Sequence, residues 1–89
     1  MNKARRKALG DIIAKLEAME ELRTGIQELL DEVMSEETEA LENMPESLQE
    51  SERGQQMQDY IDTMDSAIGD LDAIDVESIM EQLQEIVDG

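Results

Sequence analysis

Eighty-nine residues, with 24 acids against 7 bases and a net charge of −17, amount to one domain with a strongly acidic exterior. Cysteine and histidine are both absent, which excludes a disulfide framework, a thiolate or imidazole metal site and the commonest general acid–base group. No stretch reaches the roughly 20 apolar residues of a membrane span, and MNKARRK runs into charged residues instead of an apolar leader, so no anchor or leader is expected.

The charge is unevenly placed. Residues 1–15 carry Lys3, Arg5, Arg6, Lys7 and Lys15 against Asp11, a net +4, while residues 16–89 carry −21. A body of that sign repels nucleic acid and anionic membrane and attracts basic surfaces, so the expected partner is a protein with a basic surface, with no direct nucleic-acid or membrane contact.

The spacing predicts a first helix over about 3–43, with Asn2 placed to cap it. At 1.5 Å per residue it is a rod of about 60 Å. With heptad position a at Leu9, Leu16, Arg23, Leu30, Glu37 and Met44, position d falls on Ile12, Met19, Ile26, Val33 and Ala40, and nine of these eleven are apolar. Arg23 and Glu37 must then reach a rim or a symmetry mate. Ile13, Met34 and Leu41 at e, with Leu22 and Leu29 at g, widen the stripe beyond a two-stranded seam, so the helix should touch more than one neighbour. Gly25 marks an expected bend, break or close backbone contact. Lys3, Arg5, Arg6 and Lys7 oppose the positive end of the helix dipole, and the simplest relief is the acidic end of an antiparallel helix. A phosphate- or RNA-gripping role is the competing use of these four cations, as a possible anion-binding set.

Pro45 ends the first helix, and 44–50 reads as a turn with Leu48 folded back on the bundle end. Ser51 is preferred over Ser47 as the N-cap of a second helix, over about 52–72. Its apolar line is Met57, Tyr60, Ile61, Met64, Ala67, Ile68, Leu71 and Ile74, with Asp59, Asp62, Asp65, Asp70 and Asp72 turned outward as the candidate partner-binding surface. Tyr60 is expected at the bundle edge with its hydroxyl in water. Gly69 and residues 70–75 weaken the pattern, and Asp75 caps a last helix over about 76–87, whose apolar face is Val76, Ile79, Met80, Leu83, Ile86 and Val87. The two later helices together match the first in length and can fold back along it.

The expected fold is therefore all-α: a long helical hairpin, coiled-coil-like, paired into a four-helix bundle. A single hairpin of this size buries too little to stand alone, so a homo-oligomer, with a dimer favoured, is predicted. Its core is expected from Leu9, Ile12, Leu16, Met19, Ile26, Leu30 and Val33 on the first helix and Met57, Ile61, Met64, Ile68 and Leu71 on the second.

Catalytic signatures are missing. No nucleophile–base set and no glycine-rich phosphate loop stands out, so no enzyme and no cofactor are predicted. Asp70, Asp72 and Glu81 stand at positions 1, 3 and 12 of a calcium loop, but Ile74 and Asp75 occupy positions where the loop needs a ligand and a glycine, so no metal site is expected.

MNKARRK, NMPESLQESERGQQM and DYIDTMDSAIGDLDAI together resemble a group of small acidic hypothetical accessory proteins encoded in tailed-phage and prophage genomes. The similarity covers most of residues 1–75. It implies a viral accessory protein acting in the cytoplasm of the bacterial host, and it assigns no activity to particular residues. The leading expectation is an anti-defence inhibitor that binds a host defence or nucleic-acid-handling protein, its carboxylates imitating nucleic-acid phosphate. The alternatives are an oligomeric sponge for a signalling nucleotide and an assembly chaperone or scaffold of the virion.

Overall fold

A computed structural model describes all of residues 1–89 and is all-α, with a long helix and shorter helices folded back in hairpin fashion. The helices are α1 (Lys3–Glu42), α2 (Glu46–Gln49), α3 (Glu52–Asp72) and α4 (Val76–Asp88). The chain divides into two compact units, Met1–Gly25 with Ile74–Gly89, and Ile26–Ala73. No helix is long and apolar enough to cross a membrane.

Helix α1 begins where Asn2 accepts a hydrogen bond from the Arg5 backbone N–H through Oδ1 at 2.9 Å. Beyond that cap its ends suit its dipole poorly: the first turn holds no acid and the last turn no base. Gly25 neither breaks the helix nor meets another part of the chain, since a Cβ built there finds nothing within 4 Å. The expected break and close contact are both absent, because helix on either side satisfies the backbone and no element lies over that position.

In the first unit the covered positions of α1 are Arg6, Leu9, Ile13, Leu16, Glu20 and Arg23. Helix α4 supplies Val76, Met80, Leu83 and Val87, also at three- and four-residue steps. Val76, 1% exposed, is the most buried side chain, and Ile13, at 8%, is the other buried apolar residue. Asp75 caps α4, its side chain accepting from the Ser78 N–H at 3.0 Å, as the sequence predicts. Residues 73–75 separate α3 from α4, inside the 69–75 stretch where the pattern weakens and between the predicted helices 52–72 and 76–87; Gly69 itself lies inside α3.

The second unit packs the later half of α1 with α3. Gln27, Leu30, Met34, Leu41 and Met44 form one covered line, and Met57, Ile61, Met64, Ile68 and Leu71 the other. Gln27 ties them: its Nε2 donates to the Ile68 carbonyl oxygen at 3.3 Å. The covered line of α1 is thus positions a and e of the heptads assigned above. Position d is exposed: Ile12, Met19, Ile26 and Val33 are 46–53% exposed.

The predicted turn over 44–50 contains a single helical turn, α2, which corrects that reading. Pro45 has no amide hydrogen to lose and its ψ of 143° is extended, so it opens a helix as readily as it ends one. The carbonyl oxygen of Pro45 accepts from the N–H groups of Leu48 and Gln49 at 2.8 and 3.0 Å. Gln49 Nε2 donates back to the Met44 carbonyl oxygen at 2.8 Å, satisfying an acceptor left over just past the end of α1. Leu48 is 49% exposed, so it does not fold over the bundle end. Ser51 caps α3, accepting from the Gly54 N–H at 3.4 Å while its hydroxyl donates to the Leu48 carbonyl oxygen. This places the end of α2 directly on the first turn of α3. A Cβ on Gly54 would collide with the carbonyl of Gln49 and lie 2.7 Å from that of Leu48. Only glycine permits this approach.

Candidate binding surface

Helix α3 holds Asp59, Asp62, Asp65, Asp70 and Asp72 outward, all exposed. Relative to the covered line Met57–Ile61–Met64–Ile68–Leu71, their spacing fans them over the outer half of the helix instead of aligning them in a row. Two of them have amide partners. Asp62 Oδ1 accepts from Gln58 Nε2 at 2.9 Å, and Asp72 Oδ1 from Gln27 Nε2 at 3.5 Å. None has a cationic partner, because the chain forms a single ion pair, between Arg23 and Glu20.

That pair resolves the expected buried charge at Arg23 differently from either route foreseen. Arg23 turns back one helical turn, and its Nε donates to Glu20 Oε2 at 3.0 Å, while its terminal nitrogen reaches the other carboxylate oxygen. Both groups are largely covered, with side chains 15% and 25% exposed. The hydrogen bond from Arg23 holds the Glu20 carboxyl below its ordinary value against the opposing effect of burial. Glu37 occupies a half-covered position on the same line.

Lys3, Arg5 and Lys7 are exposed, and Arg6 is half-covered with its Nε out of water and without a hydrogen-bond partner. No carboxylate of the chain forms an ion pair with these four, so of the pairing expected of them, with the acidic end of a helix of this chain or of another subunit, the part within the chain is not made. In the first unit, Ile13 and Met80 floor a shallow groove rimmed by Glu17, Glu77, Glu81 and Gln84. In the second, Glu52, Arg53, Gln55, Gln56 and Asp59 line a shallow depression at the start of α3. No three carboxylates converge as metal ligands would.

The structure divides the expected oligomer core in two. Leu9, Leu16, Leu30, Met57, Ile61, Met64, Ile68 and Leu71 are partly covered within the chain, whereas Ile12, Met19, Ile26 and Val33 face water, as do Leu22 and Leu29. Sequence reasoning missed the roles of Gln27, Gln49 and Gly54. The signal for Gln27 was its place in an unbroken three–four ladder from Arg6 to Met44, disguised by the polar residues on it. No protein-family profile, curated protein or solved structure matches this chain.

Proposed function

We propose that this chain is a non-enzymatic binding protein that occupies a basic, nucleic-acid-handling surface of a bacterial host protein and inhibits it, acting in the host cytoplasm as a phage accessory factor and as a homodimer. The observation that carries the reading is the set of exposed carboxylates on α3, none neutralised by a cation, on a chain of net charge −17. Such a field draws in a basic cleft at long range and offers it charges in place of phosphates. The scatter of Asp59, Asp62, Asp65, Asp70 and Asp72 around the helix suits a concave basic cleft that wraps the helix better than a flat patch.

The test is capture from host lysate at low ionic strength, followed by competition with duplex DNA. The expected result is retention of a nucleic-acid-binding protein that DNA displaces and that elutes as salt shortens the Debye length below ~10 Å. Replacing Asp59, Asp62, Asp65, Asp70 and Asp72 together by Asn should abolish retention. Recovery of no basic or nucleic-acid-binding protein at low salt would sink the reading.

Arg6 supports a second reading, the nucleotide sponge. Its unpartnered Nε beside the exposed Lys3 and Lys7 is a donor with no acceptor within the chain. Calorimetry against a panel of cyclic and linear nucleotides decides it, and an absence of heat with every member removes it for that panel.

A further inference from the structure

A second apolar line runs along α1 and stays in water. In the first unit it comprises Ile12, Met19 and Leu22, which are 46, 47 and 68% exposed. In the second it comprises Ile26, Leu29 and Val33, at 51, 64 and 53%. Ala8, Lys15, Glu36 and Ala40 complete it at alternating steps of four and three residues. That alternation is the seam of a left-handed helix pair. The line is also the more apolar of the two on α1: two of its ten residues are charged, against five polar residues of twelve on the covered line from Arg6 to Met44.

We propose that a second copy of this chain covers this line, with the two α1 helices antiparallel and Leu22 of each packed against Ile26 of the other. The inference rests on the pairing proposed above and adds its surface, direction and register. The sequence of the line selects the occupant, because the line is complementary to its own reverse. In this register Ala8 meets Ala40, Ile12 meets Glu36, Lys15 meets Val33, Met19 meets Leu29 and Leu22 meets Ile26, and the series then repeats in the opposite sense. Small residues fall together at both ends and large ones in the middle, the volume matching that a close-packed seam requires.

Charge selects the direction. Antiparallel, Lys15 of one copy lies one layer from Glu36 of the other. Parallel and in register, Lys15 would face Lys15 and Glu36 would face Glu36. The helix ends agree. Antiparallel packing brings the end of α1 that carries Lys3, Arg5 and Lys7 to the level of the end that carries Glu39 and Glu42 in the second copy, so each wrong-signed end of α1 meets its complement. Parallel packing would place eight cations together.

Sedimentation equilibrium of the full chain should give twice the 10.0 kDa chain mass. Leu22→Glu with Leu29→Glu should give a monomer whose helical circular dichroism is kept, because both side chains are exposed. Lys15→Glu should weaken self-association about tenfold or more, and adding Glu36→Lys should restore it. The chain lacks cysteine, so introduced thiols report direction without interference. An oxidised mixture of Lys15→Cys and Val33→Cys chains should form a cross-linked heterodimer, and Ile12→Cys alone should form none. A monomer at high micromolar concentration would overturn both the pairing and this inference. Self-cross-linking of Ile12→Cys in a dimer would overturn the direction alone and leave the pairing and the carboxylate reading intact.

Discussion

The two lines on α1 have opposite fates, and the difference runs against hydrophobicity. The covered line holds Arg6, Glu20, Arg23, Gln27 and Glu37 among its apolar residues, yet it is the one that α3 and α4 occupy. The outer line, with Ile12, Met19, Leu22, Ile26, Leu29 and Val33, is left to water. Apolar area alone would favour the reverse. The covered line instead uses Gln27 for specific ties to α3, to the Ile68 carbonyl and to Asp72, while Arg23 and Glu20 satisfy each other within α1. A seam with such ties has one register. A purely apolar seam does not reject its neighbours as sharply, and it is suited to an association that forms once the chain has folded.

The largest break in that comparison is expected on the covered side. Ile13→Ala removes most of a buried side chain and should cost about 2–4 kcal/mol in urea unfolding, whereas Leu22→Ala on the outer line should stay within about 0.5 kcal/mol at concentrations where the chain is monomeric. Equal losses at the two sites would mean that the outer line is also packed within the chain.

Crowded and open glycines make the next contrast. Gly54→Ala forces a Cβ into the carbonyls of Gln49 and Leu48 and should cost about 1–3 kcal/mol, measured as a fall in melting temperature. Gly25→Ala meets nothing within 4 Å and should stabilise by about 1 kcal/mol. A neutral or stabilising Gly54→Ala would show that α2 does not press on α3. Asp75→Ala removes the cap of α4 and should cost about 1 kcal/mol, lowering helical signal with the melting temperature.

The smallest effect sharpens the polar side of the comparison. Glu20 titrates below its ordinary value in the folded chain, so its pairing with Arg23 stabilises at pH values above the usual carboxylate range. That contribution is lost as pH falls through the lowered folded value. The stability gap between the natural chain and Glu20→Gln should therefore be widest at neutral pH and close in strong acid. Over the same fall toward the isoelectric point near 4.1, the net charge is discharged and self-repulsion drops, so both chains should melt higher near pH 4.5 than at pH 7. A gap that widens with acid would contradict the assigned pair.

Much of the fold is legible in local sequence because local physics makes it. Asn2, Ser51 and Asp75 are short oxygen-bearing side chains ahead of helical periodicity, and each caps the helix that follows it. The one-turn helix α2 is not legible, because Pro45 serves equally as a stop or a start and only the carbonyls around it decide which. The need for glycine at position 54 is not legible either, since sequence does not display the backbone that lies across it. The outward aspartates follow from the apolar line of α3, but their lack of cationic partners is a matter of which elements come near them.

Periodicity thus determined that this chain is helical, where its helices begin and that α1 carries more apolar surface than one neighbour can cover. It did not determine which three–four line faces inward, because two such ladders overlap on the same helix and both satisfy the same spacing. Tertiary structure chose the ladder on which Glu20, Arg23 and Gln27 find partners, with Arg6 Nε lying covered without one, because pairing those three offsets the desolvation that covering them costs.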